Sequence, residues 1–162
     1  MKTICKCTMI AIFLLFKING IKCQITDKKL DQVKLMKQFI GTWKFELGKD
    51  TFLISENSPF GTGMTSKSQI ITNDAVINSI IQLYGYDKKT DKFVVAELFE
   101  TSPVIELCNA WFISNKAGEI VIFNPENAAL RFRFEFKTPD LIVQTAIIDD
   151  KVIKEVKGIK MK

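Results

Sequence analysis

Histidine is missing from this chain altogether. That removes Ser-His-Asp and Cys-His nucleophilic sites and zinc sites built on histidine. No Gly-x-Ser-x-Gly elbow and no phosphate-cradling glycine loop occurs either. Gly61-Thr62-Gly63 has only two glycines and reads as loop geometry. Cysteine is scarce where it would matter. Of four in the chain, Cys5, Cys7 and Cys23 lie near the start, and Cys108 stands alone in the body. An exported chain with one body cysteine has no internal disulfide and relies on packing for stability. Cys108 itself reads as a small buried hydrophobe. A long apolar run is also lacking. The run from Thr8 to Phe16 ends at Lys17, well short of the roughly 20 residues that a membrane helix needs.

What is present at the start has the pattern of a secretory signal peptide. Lys2 and Lys6 precede the short apolar run, and Asn19-Gly20 breaks it. The expected signal covers residues 1–23, with cleavage after Cys23 or, alternatively, Gly20. A lipid on Cys23 is the lesser alternative, because Lys22 stands where lipoprotein motifs place a small residue. Four of the 23 basic residues lie in this segment and none of the 18 acidic ones, leaving 19 against 18. The basic character thus belongs to the leader. Nucleic acid as a partner, which calls for excess Lys and Arg along one face, is not expected. The expected location is outside the cytoplasm, periplasmic or secreted, with residues 24–162 forming one domain. About 139 residues suffice for a single core and are too few for two.

Thr26 and Asp27 are candidate helix caps, and apolar residues from Leu30 to Ile40 recur at helical spacing. Gly41 ends that run. The greasy stripe suits a lid packed on the rest of the domain. The period then changes to two. Trp43, Phe45 and Leu47 alternate with Thr42, Lys44 and Glu46, the mark of a half-buried strand. A second strand is expected over Thr51 to Ser55, and Glu56 to Gly63 reads as a loop rich in turn formers. Further strands are expected over Met64–Thr72, Ala75–Tyr86, Lys92–Glu100, Val104–Ser114, Glu119–Phe123, Leu130–Lys137, Leu141–Ile148 and Val152–Lys160. Short turns separate them. In the strand from Leu130, the aromatic side of Phe132, Phe134 and Phe136 faces inward and Arg131, Arg133, Glu135 and Lys137 face water. Nine or ten strands with hairpin-like links predict an all-β, antiparallel up-and-down barrel preceded by a short helix, in which closure removes exposed edges.

Gly41-Thr42-Trp43 after a short helix resembles the Gly-x-Trp opening of the lipocalin and fatty-acid-binding superfamily. Gly85-Tyr86-Asp87, Thr90 and the Lys92-Phe93 strand resemble the hairpin of small bacterial lipocalin-like barrels, as does the Phe-x-Phe-Lys-Thr-Pro-Asp ending at Asp140. The similarity spans roughly residues 36 to 160. It implies a cup able to hold a small apolar molecule, in a family whose members largely have no assigned activity. An arginine usually lies across the tryptophan in lipocalins; here the last strand has no arginine and offers lysines instead, Lys157 and Lys160 toward its end. Haem-carrying relatives use a histidine, which this chain lacks, so no haem or other cofactor is expected.

The expected function is binding or carrying a small, partly apolar molecule, without catalysis. The alternatives are a side-chain-filled barrel serving structure or interaction, or an isomerase or hydrolase using Tyr84 or Tyr86 with a carboxylate. Ligand contacts are expected from Tyr84, Tyr86, Asn109, Trp111 and Phe134, with Gly41 and Trp43 structural. Asn109 shares a strand face with Leu107 and Trp111, and a buried amide requires partners, at a cost of roughly 1–3 kcal/mol otherwise. Glu97, Glu100 and Glu106 cluster around Pro103, but solvent-facing strand positions account for them more simply than a glycosidase pair. Asp149-Asp150 reads as a turn, with too few oxygens for calcium, and no metal site is expected. The oligomeric state is open.

Overall fold

A computed structural model of the chain describes residues 29–123 and 129–162. The expected signal peptide (residues 1–23, with Cys23), Thr26 and Asp27 lie outside these residues. Ten antiparallel strands close on themselves in sequence order: β1 (Gly41–Gly48), β2 (Thr51–Phe60), β3 (Gly63–Thr72), β4 (Ala75–Asp87), β5 (Lys92–Phe99), β6 (Ile105–Phe112), β7 (Ala117–Ile122), β8 (Leu130–Thr138), β9 (Leu141–Ile148) and β10 (Lys151–Lys160). This is the up-and-down barrel that alternating strands and short turns predict. Two-residue turns at Asn73-Asp74 and Asp149-Asp150 hold both central residues at positive φ, the geometry that matches strand twist in a tight hairpin.

Closure comes from β1 and β10, where Trp43, Lys44 and Phe45 lie opposite Lys160, Ile159 and Gly158. The Phe45 ring crosses Gly158 so closely that a Cβ there would lie 2.4 Å from it. Gly41 starts β1 with φ of +111°, a conformation that favours glycine. Lys160 stands opposite Trp43, and its ammonium lies 5.4 Å from the indole centroid.

The helix is shorter than expected. One α-helical turn, α1 (Gln32–Met36), passes into a 3₁₀ turn over Lys37–Phe39. Its N-cap is Asp31, whose carboxylate accepts from the Lys34 amide at 2.9 Å. The turn sits at the barrel end where β1 begins and β6 finishes. Buried Gln32 donates to the Phe112 carbonyl at 3.0 Å and accepts from the Phe112 amide at 2.8 Å. The β5–β6 pairing stops at Ala110, so this side-chain amide continues the ladder where β5 no longer reaches. At the far end of the turn, the Phe39 carbonyl accepts from Trp43 Nε1 at 2.8 Å and Asn57 Nδ2 at 2.9 Å. The Phe39 ring meets Phe134 and Phe136 edge-on at 5.1 and 4.9 Å. Trp43, 1% exposed, joins the same aromatic group through Phe136. One end of the barrel is therefore stoppered by helix and aromatics.

The expected loop from Glu56 to Gly63 is a correction. β2 continues to Phe60 and pairs with β3 across its whole length, leaving Gly61-Thr62 as the turn. Ladder pairing outweighs the local turn preference of these residues. Pro59 is tolerated because β1 stops pairing with β2 at Asn57, so Pro59 lies on a locally unpaired edge.

The Gln32 clamp is testable by urea unfolding. Gln32→Met preserves bulk but strands the Phe112 amide and carbonyl. The expected loss is about 2 kcal/mol, and unchanged stability would remove the clamp from this account.

Candidate functional site: a cavity with one acidic wall

The inward faces of the strands enclose a cavity of about 380 Å³. Its apolar lining comes from both sides of the barrel and includes Phe39, Phe45, Phe99, Phe132 and Phe134. Phe39 and Phe134 belong to the stoppered end. The barrel is hollow, within the few-hundred Å³ range typical of small-molecule pockets.

Its polar lining follows the sheet register. Asn57 lies opposite Ser66, Ser66 opposite Gln82, Gln82 opposite Glu97, and Glu97 opposite Glu106. Residues directly opposite on neighbouring strands project to the same face, so these five form one row across β2 to β6. At the β2–β3 end, the row is a buried hydroxyl cluster. Ser55 donates to Asn57 at 3.1 Å and lies 2.9 Å from Ser66 and from Ser68. At the β4–β6 end the groups are ionisable. Tyr84 donates to Gln82 Oε1 at 3.1 Å, and Gln82 Nε2 donates to Glu97.

Burial dominates the electrostatics of this wall. It raises the Glu97 carboxyl above its ordinary value, opposed by the Gln82 hydrogen bond and reinforced by the charge of Glu106. Burial, followed by the negative charge of Glu97, raises the Tyr84 phenol, which stays neutral. Burial and then the two glutamates push the Cys108 thiol up to about 12, leaving it protonated and a poor nucleophile. Glu97 and Glu106 are adjacent on one wall. A glycosidase pair instead flanks its scissile bond, so this arrangement concentrates negative charge on one side of a bound molecule. Among the described residues, no group of three or more cysteine, aspartate or glutamate side chains is placed to hold a metal ion.

The expected site residues divide between the two faces of the sheet. Tyr84 and Phe134 line the cavity. Tyr86 faces inward near the stoppered end, packs on Phe93 with centroids 5.4 Å apart, and donates to Asp91 at 2.6 Å. It braces the β4–β5 hairpin and is outside the cavity lining. Asn109 and Trp111 are a correction. Cys108, Ala110 and Phe112 are the buried side of β6, so alternation sends Leu107, Asn109 and Trp111 outward. Trp111 instead receives the Lys92 ammonium over its ring at 3.8 Å. The same alternation brings Glu97 and Glu106 inside, against the expectation of solvent-facing acids.

Sequence reasoning missed Ser55, Asn57, Ser66, Ser68, Gln82 and Gln144 as lining or supporting residues. The alternation in β3 placed Ser66 and Ser68 on the Met64 face, and that signal was readable. No family model, curated protein or solved structure matches the chain.

A raised Glu97 pKa means that the folded state binds this proton more tightly than the unfolded chain. Its linked stability is present below the ordinary value of 4.5 and is lost as pH rises from there through the folded pKa. Glu97→Gln is therefore expected to melt a few degrees above the parent at neutral pH, on a scale of about 4 °C per kcal/mol. Near pH 4 the difference should vanish. The same difference at both pH values would show that proton uptake at Glu97 is not the cause.

Proposed function

We propose that this protein is an exported, lipocalin-like carrier or binder of a small amphipathic molecule. The observation that carries the reading is a 380 Å³ cavity, apolar over most of its lining, with its polar groups concentrated on one wall. Pockets for small molecules combine these two features, the apolar part supplying affinity and the few polar groups fixing orientation. The closed barrel stoppered by a helix and the Gly41-Thr42-Trp43 opening support a lipocalin-like relationship. The apolar run ahead of the domain supports export.

The cavity speaks against the filled-barrel alternative, since a purely structural barrel packs its interior to near crystal density. The isomerase or hydrolase alternative has one supporting observation: Tyr84 and two carboxyls share a cavity. Against it, the Tyr84 hydroxyl is engaged by Gln82, and the carboxyls share one wall.

Native mass spectrometry of protein taken from its own host tests the carrier reading, together with thermal shift against a panel of small amphipaths. A co-purified molecule, or stabilisation by panel members, is expected. Filling the cavity from the opposite wall with Gln144→Trp should abolish the shift, whereas Asn109→Leu on the outer face should leave it intact. The opposite pattern would place binding outside the barrel.

A further inference from the structure

We infer that the cavity selects a ligand bearing a protonated amine on a single apolar body. This inference rests on the cavity-binding reading above and adds the chemical class of its occupant.

The cavity has two chemically different ends. At the stoppered end are Phe39, Phe45 and Phe134. Toward the other end, the β5–β6 ladder finishes at Leu98 opposite Ile105, one register step beyond the Glu97–Glu106 pair. An elongated ligand thus has an aromatic end to bury its body and an acidic end for its head. Among the described residues, the charged side chains of the lining are Glu97 and Glu106, and neither lysine nor arginine lines the cavity. A carboxylate or phosphate head would meet like charge at short range in a medium that screens poorly. An ammonium meets opposite charge there and has three N–H donors to share between two carboxyls.

The surroundings also favour an amine over the two other cation classes. A metal ion needs several more oxygen ligands than two carboxyls offer. A quaternary ammonium lacks N–H donors to share between the two carboxyls and is recognised by a cage of several aromatic rings, whereas beside the acids the lining phenylalanine on β5 is Phe99 alone. Gln82 and Tyr84 complete the selection by fixing Glu97. The Gln82 amide donates to Glu97 and accepts from Tyr84, which leaves the carboxylate oriented as an acceptor beside Glu106.

Three probes with one tail separate this inference from the reading on which it rests. Octylamine, octanol and octanoate are titrated calorimetrically into the purified protein, its Glu97→Gln and Glu106→Gln variants, and Gln144→Trp. Octylamine is expected to bind the parent at least about tenfold more tightly than octanol, as charge-assisted hydrogen bonds exceed neutral ones, with octanoate weakest. Each glutamine variant should remove most of the amine's advantage over octanol. Octanol binding also shows that each variant retains its folded cavity. Equal binding of all three probes to the parent, blocked by Gln144→Trp, would overturn the amine inference and leave the cavity reading standing. No binding of any probe, or binding that Gln144→Trp does not affect, would overturn both.

Discussion

Everything inside this barrel depends on the continuous antiparallel ladder, which fixes the face of every side chain. A strand has only two faces, and a slip of one residue exchanges them. Closure through the β1–β10 pairing removes the freedom that an edge strand would keep. Hairpins with tight turns then carry that register around the molecule. The row from Asn57 to Glu106 is a direct product, because five residues scattered over fifty positions become neighbours when register is fixed.

The N-terminal turn completes what the ladder leaves open. A barrel end exposes unpaired backbone groups and the rims of its inward side chains. Gln32 addresses the first need at Phe112, and Phe39 the second among Phe112, Phe134 and Phe136. Aromatic pairs in tilted and edge-on contact gain beyond their buried area. Filling one end in this way leaves the void farther along, beside Glu97. A stable core and a hollow cup can coexist because packing is concentrated at one end.

Burying two carboxyls, a phenol and a thiol close together is unfavourable unless their environment is arranged for it. Here a hydrogen-bond chain through Gln82 and retention of protons by Tyr84 and Cys108 limit that cost. Surface charges follow the ordinary pattern. Arg133 pairs with Glu119, Lys137 with Glu135 and Arg131 with Asp150 on the outer face of the late strands, and such exposed pairs contribute little.

The residues alone carried the fold class, because β-period alternation and turn chemistry are local signals. Trp43, Phe45 and Phe134 showed their inward face in this way, and Asn73-Asp74 and Asp149-Asp150 showed their turns. Direction failed in β6 for a physical reason. Its outer face holds the bulky apolar Ile105, Leu107 and Trp111 beside Asn109, whereas the inner face of Glu106, Cys108, Ala110 and Phe112 carries a charge and two small side chains. Hydrophobic patterning therefore pointed the wrong way, and only pairing of Val95 with Cys108 and Phe93 with Ala110 decided it. Composition and local pattern thus determined a barrel without histidine chemistry. Tertiary pairing decided where the cavity lies and that its wall is acidic, since facing across a closed sheet is a relation between strands.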